Sequence, residues 1–178
     1  HFSFEFFPPK TEEASLALLQ TISKLSPIQP SFVSVTYGAG GSSNQLTQNL
    51  VVRLKQETPL NVIAHLTAVG VSRDDIRSQL EKYSAAGIHN VLALRGDPPK
   101  GNPNLGFRTD GFSHAVDMVA FIKKHFPHFG VSVAGFPEGH PETPNRLQEM
   151  DYLKAKVDAG ADCICTQLFF DNHDFYDF

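Results

Sequence analysis

Residues 85–94, AAGIHNVLAL, place an Ala-Gly pair at the end of a helical stretch and then open an apolar run rich in branched side chains. Residues 158–167, DAGADCICTQ, repeat the construction. A glycine at that point supplies the left-handed helix terminus that feeds a short turn into a strand. The two stretches read as copies of one helix-to-strand unit, so the chain carries an internal βα repeat.

Working outward, similar runs occur at FSFEFF (2–7), FVSVTY (32–37), NVIAHLTAV (61–69), NVLALRG (90–96), VSVAGF (131–136) and CICTQLFF (163–170). Most begin about thirty residues after the one before, as βα units require. Between them lie helical spacings: Leu18, Ile22 and Leu25; Leu46, Leu50 and Leu54; Ile76, Leu80 and Tyr83; Leu147, Met150, Leu153 and Val157. Continuous apolar strands alternating with helices demand a parallel sheet covered by helices, either open and doubly wound or closed into a barrel. Polar groups follow nearly every strand, which favours a barrel, whose βα loops all meet at one face. A (β/α)8 TIM barrel needs eight strands and typically about 250 residues. Six βα units are legible here, so residues 1–178 are expected to form a single catalytic barrel domain without its C-terminal strands. Such a piece would expose two sheet edges and is expected to be unstable or prone to aggregate alone.

The chain has 178 residues, 41% of them hydrophobic, enough for the core of one ordinary domain. The net charge is −4 and the pI about 6.0, with Lys and Arg scattered. That distribution carries no footprint for nucleic acid or anionic membrane. No apolar stretch approaches the roughly 20 residues needed to span a bilayer. The only cysteines, Cys163 and Cys165, point the same way from one strand, too far apart to bridge comfortably. A reducing compartment, the cytoplasm, is expected.

SFEFFPPK (3–10) sets Glu5 on the strand face opposite Phe2, Phe4 and Phe6. If that face lines the barrel, desolvation near the mouth favours the neutral acid, a form suited to general acid catalysis. A glutamate tied to a basic neighbour or facing water on an edge strand is the competing reading. The turn at Gly38, Gly40 and Gly41, with Ser42, Ser43 and Asn44 as helix caps, lacks the third glycine and acidic partner of a dinucleotide fingerprint. Its glycines instead allow close approach to a flat ligand, with Thr36 and Tyr37 at the strand end. LRGDPP (94–99) presents Arg95 and Asp97 around a permissive Gly96, and Pro98 and Pro99 stiffen the exit. Residues 100–111 have loop composition and are expected to form a mobile cover for a site. AGFPEGHPET (134–143) brings Phe136, Glu138 and His140 to a fifth strand end. A metal shared among His65, Asp97, Glu138 and His140 is weakly supported, since no ligand-spaced motif is present. Glu149, Tyr152 and Lys156 form a polar stripe on a helix beside an apolar face of Met150, Leu153 and Val157, read by default as solvated.

Taken together, SFEFFPPK, VSVTYGAGG, AHLT, LRGDPP, AGFPEGHPE, KVDAGAD and TQLFFD, in that order, resemble the methylenetetrahydrofolate reductase family over practically the whole chain. The resemblance implies a (β/α)8 barrel with FAD at its C-terminal face and ping-pong reduction of 5,10-methylenetetrahydrofolate to 5-methyltetrahydrofolate by NAD(P)H, in one-carbon metabolism. It implies that Glu5 protonates the folate and helps open its five-membered ring, while reduced FAD supplies hydride. Asp97 would sit near flavin and pterin, and Asp97, Gln167 and Thr36 would contact substrate. FAD contacts are implied for Thr36, Tyr37, Ala39, His65, Arg95, Gly96, Asp97, Ala115, Phe136, His140, Thr143, Glu149 and Lys156. Two departures stand out: His114 where family members often carry tyrosine, and Phe136 in place of a frequent tyrosine. The resemblance also implies a homo-oligomer at full length, with folate and a nicotinamide nucleotide as partners and no resident metal. NADH or NADPH stays open. The alternatives are a metal-dependent barrel hydrolase or lyase using His65, Asp97 and His140, and a noncatalytic pterin- or flavin-binding module.

Overall fold

Branched and aromatic residues at alternate positions give each short run one face that must leave water, and six such runs pair into a sheet. The computed structural model describes residues 1–37, 44–97 and 106–178. The glycine turn at 38–43, which includes Ala39, lies outside the described residues, as do Pro98, Pro99 and the first part of the expected cover, 100–105. The strands are β1 Ser3–Phe6, β2 Phe32–Val35, β3 Val62–Thr67, β4 Asn90–Leu94, β5 Gly130–Gly135 and β6 Cys163–Thr166. They pair in sequence order, every neighbour parallel. An unbroken order of this kind is that of a barrel wound in one direction; an open doubly wound sheet reverses at a switch point. The six strands form a curled half-barrel with β1 and β6 as its edges.

Register decides which residues share a face. Glu5 pairs with Ser34 and Ser34 with Ile63, while His65 pairs with Leu92, Leu92 with Ser132 and Ser132 with Cys163. The intervening residues, among them Val33, Val35, Val62, Ala64, Leu66, Val91, Ala93, Val131 and Val133, turn to the convex face and are buried. Helices α1 (Glu12–Leu25), α2 (Asn44–Glu57), α3 (Arg73–Ala85) and α4 (Ala115–His125) cover that face with Ile22, Leu54, Ile76, Leu80, Met118 and Ile122. Each such side chain contributes about 1.5–3 kcal/mol by leaving water.

Local signals set the helix ends. Thr11 accepts from the Ala14 amide at 3.2 Å, and Ser72 and Asp75 form a reciprocal capping box that starts α3. Asn145 accepts from the Gln148 amide and starts α5 (Arg146–Asp158). The repeat behaves as its residues predict: Gly87 and Gly160 follow α3 and α5 with φ of 76° and 109°, each leading into a strand.

Two expectations are corrected. The run CICTQLFF does not stay extended to residue 170; β6 stops at Thr166, and α6 (Asn172–Asp177) follows, capped by Asp171. Phe169 stacks on Phe175 of α6 at 5.2 Å, so the aromatic end of the run packs on the following helix. The inward face of α5 is Glu149 and Leu153, with Lys156 half-buried next to them, while Val157 is exposed and Met150 is intermediate. Of the polar stripe, Tyr152 alone faces water. The reason is that Lys156 reaches the Ala134 carbonyl of β5 and Glu149 is drawn in beside its charge.

Both cysteines are free and sit on the concave face of β6. Among the described residues no helix is long and apolar enough to cross a membrane.

Candidate active site at the mouth of the half-barrel

The concave face carries the chemistry because its side chains alternate with the core residues of the same strands. Glu5 on β1 and Ser34 on β2 are register partners, and the Ser34 hydroxyl donates to Glu5 Oε2 at 3.3 Å. His65, two strands from β1, brings Nε2 to 3.4 Å from the same oxygen, a reach across strands that reflects the stagger of a barrel. That approach lacks hydrogen-bond geometry, so the buried Nε2 has no hydrogen-bond partner among the described residues. Burial of His65, whose side chain is 8% exposed, holds its pKa below the ordinary histidine value, and the Glu5 carboxylate opposes the shift. Glu5 itself departs from the expected desolvation. Its side chain is 53% exposed, because β1 is an edge strand with a single neighbour.

A second group gathers where β4 and β5 end. Arg95 donates to Glu142 at 2.6 Å, stands 3.8 Å from Asp97 and lies over the Phe107 ring at 5.8 Å. The guanidinium bond holds the Glu142 carboxyl below its usual range. Asp97 is almost wholly exposed, so its ion pair with Arg95 is loose and the main restraint on Arg95 comes from the next loop. Gly96 has φ +77°, and a Cβ there would sit 2.9 Å from Thr67 Cβ; a side chain fails on both counts. Phe136 meets His140 edge-on at 4.7 Å, and His140 Nδ1 accepts from the Glu142 amide at 3.1 Å.

The remaining residues singled out by resemblance are spread more widely. Thr36 stands at the mouth, its amide on the Phe6 carbonyl and its own carbonyl accepting from Thr47. Tyr37 has its hydroxyl buried without a partner among the described residues, and burial, reinforced by Tyr83 and Asp75, pushes that phenol upward. Thr143 and Ala115 lie at loop and helix-start positions, Thr143 with its amide on the His140 carbonyl and Ala115 opening α4 after His114. Glu149 is buried with Oε2 unpartnered, and Lys156 donates to the Ala134 carbonyl at 2.6 Å. Burial pulls the Lys156 pKa down while Glu149 counteracts it. Gln167, past β6, is exposed and its amide bonds to the Gly135 carbonyl at 2.7 Å. Among the described residues no group of three or more His, Cys, Asp or Glu side chains is placed to hold a metal ion.

Three contributors escaped the sequence reading. Ser34 was hidden in a strand, and only register could have revealed it. Glu142, in the GHPET turn, had a visible signal as an acid facing the LRGD end. Arg146 ties the mouth to α6 by donating to the Pro137 and Asp174 carbonyls.

The fold and the polar strand ends define a β/α-barrel protein with its site at the C-terminal face. Residues 1–178 match the family model for methylenetetrahydrofolate reductase. The chain is 43% identical over 187 residues to "Methylenetetrahydrofolate reductase (NADH) 1" of Arabidopsis thaliana, covering 99% of this chain and 32% of that protein. It is 40% identical over 171 residues to "5,10-methylenetetrahydrofolate reductase" of Salmonella typhimurium, covering 95% of this chain and 55% of that protein. The chain therefore belongs to the methylenetetrahydrofolate reductase family, and it spans about a third of the plant relative and about half of the bacterial one. Among solved structures, oxaloacetate acetylhydrolase superposes with a TM-score of 0.65 at 11% identity, covering 99% of this chain and 61% of that chain. A 2,3-dimethylmalate lyase gives 0.61 at 13%, covering 97% and 58%. At those identities the likeness is one of fold alone.

Proposed function

We propose that residues 1–178 are part of the catalytic barrel domain of an enzyme that reduces 5,10-methylenetetrahydrofolate to 5-methyltetrahydrofolate, taking electrons from NAD(P)H through FAD in a ping-pong cycle. The observation that carries the reading is Glu5, the concave-face carboxyl flanked by Ser34 and His65, within a chain that matches the family throughout. The residues at the mouth suit a flavin. His65 Nε2 is buried and has no hydrogen-bond partner among the described residues, so it is able to bond a ligand. Arg95, His140 and Phe136 gather where β4 and β5 end and would offer polar and aromatic contacts to the same ligand, as would Thr36 at the end of β2. On this reading Thr36, Tyr37, Ala39, His65, Arg95, Gly96, Asp97, Ala115, Phe136, His140, Thr143, Glu149 and Lys156 hold the cofactor. When bound, FAD carries the reducing equivalents from nicotinamide to folate.

The chain's own residues then have distinct tasks. Glu5 holds a proton on the concave face and passes it to a ring nitrogen of the folate, so that the five-membered ring opens. Asp97, extended from the β4 end, and Gln167, past β6, orient the substrate, and Glu142 keeps Arg95 in place beside Asp97. Folate and the nicotinamide nucleotide use the same space in turn, and a ping-pong cycle follows from that exclusion. The enzyme is cytoplasmic and homo-oligomeric on this reading, with no nucleic acid or membrane partner.

The test separates the half-reactions in the intact protein. Glu5→Gln should collapse folate reduction by about 10²- to 10⁴-fold, the range of a lost general acid. NAD(P)H oxidation with an artificial electron acceptor should largely survive. Equal loss of both activities contradicts the role given to Glu5.

A further inference from the structure

Both contacts to the Glu5 carboxyl address one oxygen. Ser34 Oγ donates to Oε2 at 3.3 Å, and His65 Nε2 stands 3.4 Å from the same atom. Ser34 is itself buried, 8% exposed, and its strand is paired on both sides, so the hydroxyl is held on a rigid element. A distance of 3.3 Å is longer than the roughly 2.8 Å common for a hydroxyl donating to oxygen, as catalytic contacts often are without ligand.

We propose that Ser34 is a positioning residue that selects the delivering oxygen of Glu5: its hydroxyl occupies Oε2, so the transferable proton resides on Oε1. The proposal rests on the reading of Glu5 as the acid. In the transfer the Oε1–H bond breaks and an N–H bond forms on the substrate. The carboxylate left behind keeps the Ser34 hydrogen bond on Oε2 and takes its next proton from solvent water. A hydroxyl donating to an ionised carboxylate binds more tightly than one donating to the neutral acid. Ser34 therefore stabilises the charge that develops during transfer, and its effect falls on kcat more than on KM.

The experiment measures the folate half-reaction in the intact holoprotein across pH, for wild type, Ser34→Ala, Ser34→Thr and Glu5→Gln. Ser34→Ala should lower kcat by about 10- to 100-fold with KM little changed. Its alkaline limb should move to higher pH, because a donor that favours the carboxylate has been removed while the titratable groups that face Glu5, His65 on β3 and Cys165 on β6, are unchanged. Ser34→Thr keeps the hydroxyl on a residue suited to a strand and should recover most of the loss. An isotope-edited infrared spectrum gives a readout independent of turnover: the Glu5 carbonyl stretch should rise in frequency in Ser34→Ala. Wild-type kcat and pH profile in Ser34→Ala, beside a collapsed Glu5→Gln, overturn the proposal and leave the proposed function standing. An active Glu5→Gln overturns both.

Discussion

The two faces of the sheet are made by the same strands and obey different rules. The convex face, with Val33, Val35, Ala64, Leu66, Val91, Ala93 and Val133 almost wholly buried under helices, is apolar from β1 to β5 and meets its one polar paired residue at Thr166 on the edge strand β6. The concave face carries Glu5, Ser34, His65, Thr67, Ser132, Cys163 and Cys165 at the alternate positions. One face holds the molecule together by burial, and the other accepts the cost of partly buried polar groups in order to present them to a ligand. The difference teaches that stability and chemistry are separable here residue by residue, although neighbouring positions are one residue apart.

Substitutions can break or sharpen that separation. The largest effect expected from the concave face is Glu5→Gln, the folate-specific loss given above, with a thermal midpoint close to that of wild type because the side chain is half exposed. A large drop in the midpoint would erase the distinction at this position. On the convex side, Ile76→Ala should cost about 2–5 kcal/mol of stability by emptying space in the buried core beneath the sheet. Turnover per folded molecule should stay near wild type, as denaturant titration combined with active-site counting can show. Gly96→Ala should cross the boundary: its φ of +77° and the 2.9 Å approach to Thr67 Cβ imply about 1–3 kcal/mol of strain, together with displacement of Arg95 and Asp97. Stability and substrate affinity should fall together, and a variant that loses only one of them refutes this account of the β4 end. Ser72→Ala removes the cap of α3 and should cost about 1 kcal/mol, read as a lowered unfolding midpoint without change in either half-reaction.

The smallest effect is one of pH. Burial lowers the folded-state pKa of His65 below its ordinary 6.5, so the unfolded chain takes up the proton first as pH falls. Its contribution to stability is therefore present above pH 6.5 and is lost as pH falls through the folded pKa below that value. The difference in unfolding free energy between wild type and His65→Gln should shrink over that window. A difference that grows on acidification would show that the charged imidazole, held by Glu5, is the stabilised form.

The sequence was most legible where a residue's role follows from its own strand or helix. The six strands appear as short apolar runs rich in branched and aromatic residues, the Ala-Gly closures recur at Gly87 and Gly160, and the backbone freedom needed at Gly96 is visible between LR and DPP. Glu5 could be placed opposite Phe4 and Phe6 by counting. Its surroundings could not be read this way, since the Ser34 contact spans 29 residues and the Arg95–Glu142 bond spans 47. The inward turn of Glu149 on α5 was misread because an apolar stripe of Met150, Leu153 and Val157 lay beside it, and helical periodicity ranks residues by hydropathy without knowing what the sheet offers in return.

By itself the sequence determined the alternation of strands and helices, the apolar identity of the convex face and membership in a family, since these depend on local spacing and on motifs in order. Only the tertiary structure decided which polar groups meet: the stagger between parallel strands sets Glu5 against Ser34 and His65, and loop length sets Arg95 against Glu142. The physical reason is that register and stagger are collective properties of the sheet. No single strand carries them, and every contact across the concave face depends on them.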